Sequence, residues 1–422
     1  MGILSRKILS NSLWMMFEKF IGIFGVIFVM SYVAKYIGPE NFGKIALATT
    51  LFTFVQTLTW FGNQEILFKR VSKNKHSGLK YLNKTQNTRK ILFIILTIPI
   101  LIYLYVSGDI LTFVFGFATA ISTYFLTQDI YNIYNNANLR SHINALCNIS
   151  GLGVSLLIRY IIVYLELDYS FLSIPILTVT IIPFFLKKLI FNREDKVSLI
   201  NSVKYRNYYF LAGSSLVISS LSVTFYTQIC NVMLATISST HELGIYAAAI
   251  TIGSSWSFVN FAIISSVMTK IYKEKNSYLS FYMVHKLNII IILISLLVIL
   301  FLYFFGKWLI IFLYGNSYLE SYYLLIILSI STMLSGLGIV TTRLMIKLED
   351  YSYISKKNLW IAFISLPISY LMISKFGLYG AGYSILLIET LSLTVFNYFY
   401  KNGLIFKLQF FPLFKKYFKF NG

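Results

Sequence analysis

Charge is the scarcest property of this sequence. Asp, Glu, Lys and Arg together make up 12% of its 422 residues, and only 15 residues are acidic. A soluble chain of this length carries about twice that charge. Cysteine is nearly absent too. The two present, Cys147 and Cys230, both fall in apolar stretches, which argues for packing and against a disulfide framework. There is no CxxC, no Cys/His cluster and no phosphate-binding glycine loop, so neither a metal nor another cofactor is expected. Met1–Ser10 runs straight into a long apolar segment without a small-residue cleavage site, so no cleavable signal sequence is expected.

What the sequence has in abundance is hydrophobic length. Apolar residues reach 57% and mean hydropathy is +0.72. A membrane-crossing helix needs about 20 such residues. The runs that qualify are near 12–36, 42–62, 90–107, 109–128, 143–165, 169–190, 207–236, 243–268, 286–305, 320–342, 358–374 and 378–400. They are long and do not alternate, so helices are the only plausible spanners. The expected fold is an all-α polytopic membrane protein with about twelve transmembrane helices. Two six-helix halves, 1–203 and 204–400, would be followed by a basic cytoplasmic tail, 401–422.

The net charge of +21 could suggest nucleic acid, but its distribution argues otherwise. Lys and Arg concentrate in every second connection. One connection holds Lys69, Arg70, Lys73, Lys75, Lys80, Lys84, Arg89 and Lys90; another holds Lys187, Lys188, Arg193, Lys196, Lys204 and Arg206; a third holds Lys270, Lys273, Lys275 and Lys286. By the positive-inside rule both termini are cytoplasmic. The C-terminal "FPLFKKYFKF" reads as an interfacial anchor on anionic lipid. The connections on the opposite side are too short to hold a soluble catalytic domain.

The halves repeat one another. "ENFGKIALATT" at 40–50 and "HELGIYAAAIT" at 241–251 share Gly43/Gly244, Ala46/Ala247, Ala48/Ala249 and Thr50/Thr251. The same offset pairs Thr53 and Gln56 with Ser254 and Ser257, and Lys19 with Ser220. Six spans per half makes the halves parallel, an arrangement that usually encloses a central cavity. Gly213, Ser220, Thr224, Thr227 and Asn231 share one helical face and are candidates to line it. Serine and threonine in such helices also mark plain helix contacts.

The charges inside the spans are few and costly. Glu18 and Lys19 lie in the first, Lys44 opens the second, Arg159 lies toward the far end of the fifth, Asp129 ends the fourth, and Glu389 is near the middle of the twelfth. Lys19 can snorkel to the interface instead, and Arg159 can form a surface pair with Glu166 or Asp168. A cavity lined by Lys19, Arg159 and Lys44, with Gln56, Ser220, Thr224 and Asn231, would suit a phosphate-bearing substrate. Glu389, Glu18 and Asp129 are the candidates for ion coupling.

These residues resemble a known family. "AKYIGPENFGKIALA" at 34–48, "LGIYAAAITIGSSWSF" at 243–258, "GKWLIIFLYGNSYLES" at 306–321 and "GLYGAGYSILLIE" at 377–389 are similar, in order, to segments of Wzx-type polysaccharide flippases in the MATE/MurJ-like MOP superfamily. The resemblance implies a non-enzymatic membrane transporter. It would move a polyprenyl-diphosphate-linked oligosaccharide across a bacterial inner membrane for O-antigen, capsule or related polysaccharide assembly. The implied partners are that lipid, the membrane lipids, and a polysaccharide polymerase with its chain-length machinery. One departure is the pair Cys230 and Asn231, where family members often carry an acidic residue. Three alternatives stay open: a MATE-like cation or drug antiporter, which would favour deep carboxylates; a MurJ-like exporter, which would add two spans; and a membrane polysaccharide polymerase, which would need a large outer loop.

Overall fold

The computed structural model describes residues 6–194 and 203–410. Among them it is helical almost throughout, with no strand. Ten helical runs are long and apolar enough to cross a membrane. Two of these, Trp14–Trp60 and Tyr351–Tyr398, have 47 and 48 residues. At about 1.5 Å per residue each would be about 70 Å long, more than twice a hydrocarbon core of about 30 Å. Each is broken near its middle. In α1 (Arg6–Trp60) the break is Gly38, at φ 74 and ψ 169, followed by Pro39, which has no N–H to give. In α13 (Tyr351–Leu393) it is Gly377, at φ 52 and ψ −128. Both are conformations that glycine adopts without a Cβ penalty. Splitting these two runs turns ten into the twelve crossings expected from the hydropathy.

The chain groups into two compact units, Met1–Thr224 and Phe225–Gly422. In the first, α2 (Asn63–Lys73) follows α1 through Gly62, and α3 (Lys75–Ser107) leads to α4 (Ile110–Gln128). A short α5 (Ile130–Ala137) turns the chain into α6 (Ser141–Tyr164) and then α7 (Ser173–Glu194). At the Gly38 end, Tyr36 donates to the Leu167 carbonyl at 2.7 Å and Lys44 reaches Asp109. The opposite end is closed by a cluster of Trp60, Leu67, Val71, Tyr81, Tyr131, Tyr134 and Tyr209.

The stretch between the second and third spans, expected as a basic loop, is mostly helix. α2 buries Leu67 and Val71 and exposes Lys69 and Lys73. Hydropathy cannot see such a helix, because its apolar face is only one residue wide per turn.

α8 (Val203–Met233) crosses from the first unit into the second and ends in a π-helical turn, Leu234–Ser238. The second unit continues with α9 (Thr240–Ser255), α10 (Ser257–Lys273), α11 (Ser277–Tyr314), α12 (Ser321–Lys347) and α13. After α13 come α14 (Val395–Tyr398) and α15 (Leu404–Gln409). α15 puts Leu404, Ile405 and Leu408 into a core with Ile264, Met268, Leu287 and Leu344. The "FPLFKKYFKF" segment lies outside the described residues. Large apolar side chains such as Leu297, Phe304 and Val106 are exposed by 68–76%. Water would penalise that surface and lipid does not.

Candidate functional site

Three cavities hold the polar side chains that the spans would otherwise have no reason to carry. The first, ≈ 300 Å³, is enclosed by α1, α4, α5, α6 and α7. Its polar core starts at the break between α4 and α5. The Asp129 carboxylate caps α5 by accepting from the Asn132 backbone N–H at 3.2 Å. Its other oxygen meets Lys187 Nζ at 2.5 Å, with the two side chains only 10% and 1% exposed. Glu18 faces the same cavity and accepts from Asn148 Nδ2 at 2.6 Å. Behind Asp129 lies an all-amide network. Asn144 donates to Asn132 and Asn136, and it accepts from Asn135, each at 2.9 Å.

Glu18 and Asp129, both ion-coupling candidates from the sequence, therefore line one cavity. Lys19 does not line it; it is exposed on the neighbouring face of α1. Lys187, by contrast, escaped the sequence reading. It had been grouped with Lys188 as a loop residue. The two lysines sit side by side in the apolar run "FFLKKLIF", and one residue turns a helical side chain by about 100°, so only Lys187 faces Asp129.

The second cavity, ≈ 390 Å³, forms at the junction of α1, α2 and α8. Gln56, Thr57 and Trp60 come from α1, Gln64 from α2, and Ser219, Ser220 and Thr224 from α8. Thr57 and Thr224 share a hydrogen bond at 3.0 Å. The helices can meet because Gly62, at φ 70, has no side chain: a Cβ there would lie 2.5 Å from Leu216. Trp60 is held from behind by Arg89, whose guanidinium carbon lies 5.2 Å from the indole centroid. Arg89 is fully buried. It donates to Thr85 at 2.9 Å, and its Nε and Nη2 have no partner among the described residues. Here too the sequence reading had a loop residue where the structure has a core one.

The third cavity, ≈ 380 Å³, belongs to the second unit and contains Glu389. The other polar groups on its walls are hydroxyls: Tyr226, Thr227, Tyr246, Ser254, Ser331, Thr332 and Ser335. The Ser335 hydroxyl is within hydrogen-bonding reach of the Glu389 carboxylate. Lys357, buried nearby in α13, donates to Asn397 Oδ1 at 2.9 Å. Asn231 lies further along α8 and donates to Gln228 at 3.0 Å. The polar face read on α8 thus contributes Ser220 and Thr224 to a cavity of the first unit and Thr227 to a cavity of the second.

At the Gly38 end, Lys44 is buried between two carboxylates, Asp109 at 2.7 Å and Glu40 at 3.2 Å. Burial pushes the Asp109 carboxyl up. The hydrogen bonds from Lys44 and Thr112 outweigh it and bring the group down to about 2. The Asp168 carboxyl is held low by Ser170, whose backbone N–H donates to it at 2.9 Å. Arg159, in α6, pairs with neither Glu166 nor Asp168. It is half-buried and makes no ion pair or hydrogen bond among the described residues.

Two helical units with broken, polar-cored spans form a fold that known structures share. A lipid II flippase MurJ in an inward closed conformation superposes with a TM-score of 0.71 at 14% identity, over 97% of this chain and 92% of that one. An inward-facing multidrug resistance MATE family transporter of the MOP superfamily superposes at 0.62 and 13% identity, over 91% and 95%. At such identities the likeness is one of fold. The sequence narrows it further: residues 8–269 match the Polysaccharide biosynthesis protein family, and the chain belongs to that family. The capsular polysaccharide biosynthesis protein CapF of Staphylococcus aureus is 28% identical over 206 residues, 48% of this chain and 51% of CapF. The chain thus aligns with about half the length of that relative. It is a multi-pass membrane protein.

Proposed function

We propose that this chain is a flippase. It moves a polyprenyl-diphosphate-linked oligosaccharide from the inner to the outer leaflet of a bacterial cytoplasmic membrane, for capsule or a related surface polysaccharide. Family membership and the transporter fold support the class. The observation that carries the substrate charge is Arg159. A guanidinium kept in a membrane helix costs roughly 2.5–3.5 kcal/mol even on mild scales. Arg159 carries that cost with no carboxylate beside it among the described residues, whereas Lys44 and Lys187 each have one. An unneutralised cation in a transporter is accounted for by an anionic cargo, and a diphosphate is the strongest such partner.

In this reading both termini are cytoplasmic, and Lys19 and Arg159 meet the diphosphate toward opposite ends of the bundle. Glu389 binds the coupling proton or sodium ion among its hydroxyls. Nothing in the reading requires covalent chemistry.

The test is the lipid pool of a strain lacking this chain. A lipid-linked saccharide is expected to accumulate on the cytoplasmic side. Wild-type protein and Arg159→Lys should clear it, and Arg159→Gln at matched levels should not. A strain whose lipid-linked saccharides are unchanged would overturn the proposal.

A further inference from the structure

The ≈ 390 Å³ cavity of the first unit differs from the other two in one respect: no Lys, Arg, Asp or Glu lines it. Its volume is in the range of pockets that enclose a small ligand. Its polar groups are amides and hydroxyls, and several are unspent. Gln56, Gln64 and Ser219 have no side-chain hydrogen bond among the described residues. Each glutamine amide can donate and accept at once, and a serine hydroxyl does both. Trp60 adds an apolar wall whose position is fixed by the Arg89 guanidinium behind it.

That combination discriminates among ligands. A diphosphate would call for cations or converging backbone N–H groups, and this cavity has no cation. A hydrocarbon chain would cover the half-buried Gln56 amide and Ser219 hydroxyl without pairing them, at about 1–3 kcal/mol for each group left buried and unpaired. An uncharged polyol satisfies both constraints. Its hydroxyls answer amides and hydroxyls that each donate and accept, and its C–H faces lie against an indole.

We propose that this cavity is a sugar subsite. Gln56, Gln64 and Ser219 hydrogen-bond the glycan of the lipid-linked substrate, and Trp60 packs against a sugar ring. The assignment rests on the flippase reading and adds to it a division of labour. The glycan is read here by neutral groups, and the diphosphate is held elsewhere by cations. Specificity would follow, since sites built to hydrogen-bond a substrate hydroxyl reject analogues that lack it.

The experiment compares two lipids on the purified full chain in lipid nanodiscs. One is the lipid-linked saccharide extracted from a strain lacking this chain; the other is bare undecaprenyl diphosphate. Gln56→Leu, Gln64→Ala and Ser219→Ala should each weaken the saccharide lipid by about five- to tenfold, as expected for one lost hydrogen-bonding group. Affinity for the bare lipid should not change. Gln64 is exposed and Ser219→Ala is a small change, so these two report binding even if Gln56→Leu disturbs folding. Thr49→Val, which alters an exposed threonine bonded to its own helix, should change neither affinity. Equal weakening of both lipids would assign the cavity to the diphosphate and overturn the sugar assignment. No weakening of either by any of the three variants would overturn it as well. If the deletion strain accumulates no lipid-linked saccharide, the flippase reading itself falls and takes this one with it.

Discussion

Asp129 in the first unit and Glu389 in the second are held in opposite ways. In the first, Asp129 and Lys187 neutralise one another at 2.5 Å, and the carboxylate also caps α5. In the second, the direct hydrogen-bond partners are neutral. Lys357 donates to the Asn397 amide, Glu389 meets the Ser335 hydroxyl with the Lys357 charge near but not paired to it, and Lys347 reaches the carbonyls of Ile271 and Glu274 at 2.6 and 3.0 Å. A direct ion pair fixes both charges, because removing either strands the other. A carboxyl bonded to a hydroxyl, with a lysine nearby but not in contact, can change charge without breaking a direct ion pair. The first arrangement therefore suits a rigid frame. The second suits a group that gains and loses an ion during a transport cycle.

The sharpest way to break this contrast is at Asp129. Asp129→Asn or Lys187→Met should destabilise the first unit by roughly 3–5 kcal/mol, as for a broken buried pair. Thermal unfolding in detergent would read the loss, and the double variant Asp129→Asn/Lys187→Met should recover part of it. Equal losses in single and double variants would mean the charges do not sense one another. Lys357→Met should cost less, about 1–3 kcal/mol, since it removes a hydrogen bond to one amide oxygen and a longer-range contact with Glu389 instead of one half of a direct ion pair. A loss as large as that of Lys187→Met would erase the distinction between the units.

Glu389→Gln keeps the shape and the hydrogen bond and removes the charge. Stability should change by less than about 1 kcal/mol. The expected change is in transport: in reconstituted vesicles the variant should lose its response to an imposed proton or sodium gradient. A full response retained by Glu389→Gln would make the carboxyl a core hydrogen-bonding group.

The smallest effect is expected at the Gly38 end. Asp109 is half exposed, so its pairing with Lys44 is screened and Asp109→Asn should cost no more than about 1 kcal/mol. Its carboxyl sits at about 2, below the ordinary value of an aspartate. The contribution is then complete above the ordinary carboxylate range and fades as pH falls toward 2. Unfolding midpoints of wild type and Asp109→Asn should converge over that interval. Curves that stay parallel down to pH 2 would show that the pair contributes nothing.

The crossings were legible in the sequence because lipid imposes length and apolarity, and these survive in composition alone. Even the breaks fall where the sequence separates adjacent apolar runs: Gly38-Pro39 lies in the connection 37–41 and Gly377 in the connection 375–377. Lys187 and Arg89 were not legible. A lysine that snorkels and one that turns inward to a carboxylate occupy the same position in a hydropathy profile. Only the break between α4 and α5, which brings Asp129 opposite α7, distinguishes Lys187 from Lys188. The polar face of α8 was found by its spacing. That its residues serve two cavities depends on where α1 ends, and a single helical pattern does not hold that information.

The asparagine network joining α5 to α6 carries a further consequence. Asn132, Asn135, Asn136 and Asn144 interlock through amides alone. Amides do not titrate, and added salt does not screen them as it does an ion pair. The amide links themselves are therefore indifferent to acid and salt, and any response of this corner to pH is carried by Asp129, which caps α5.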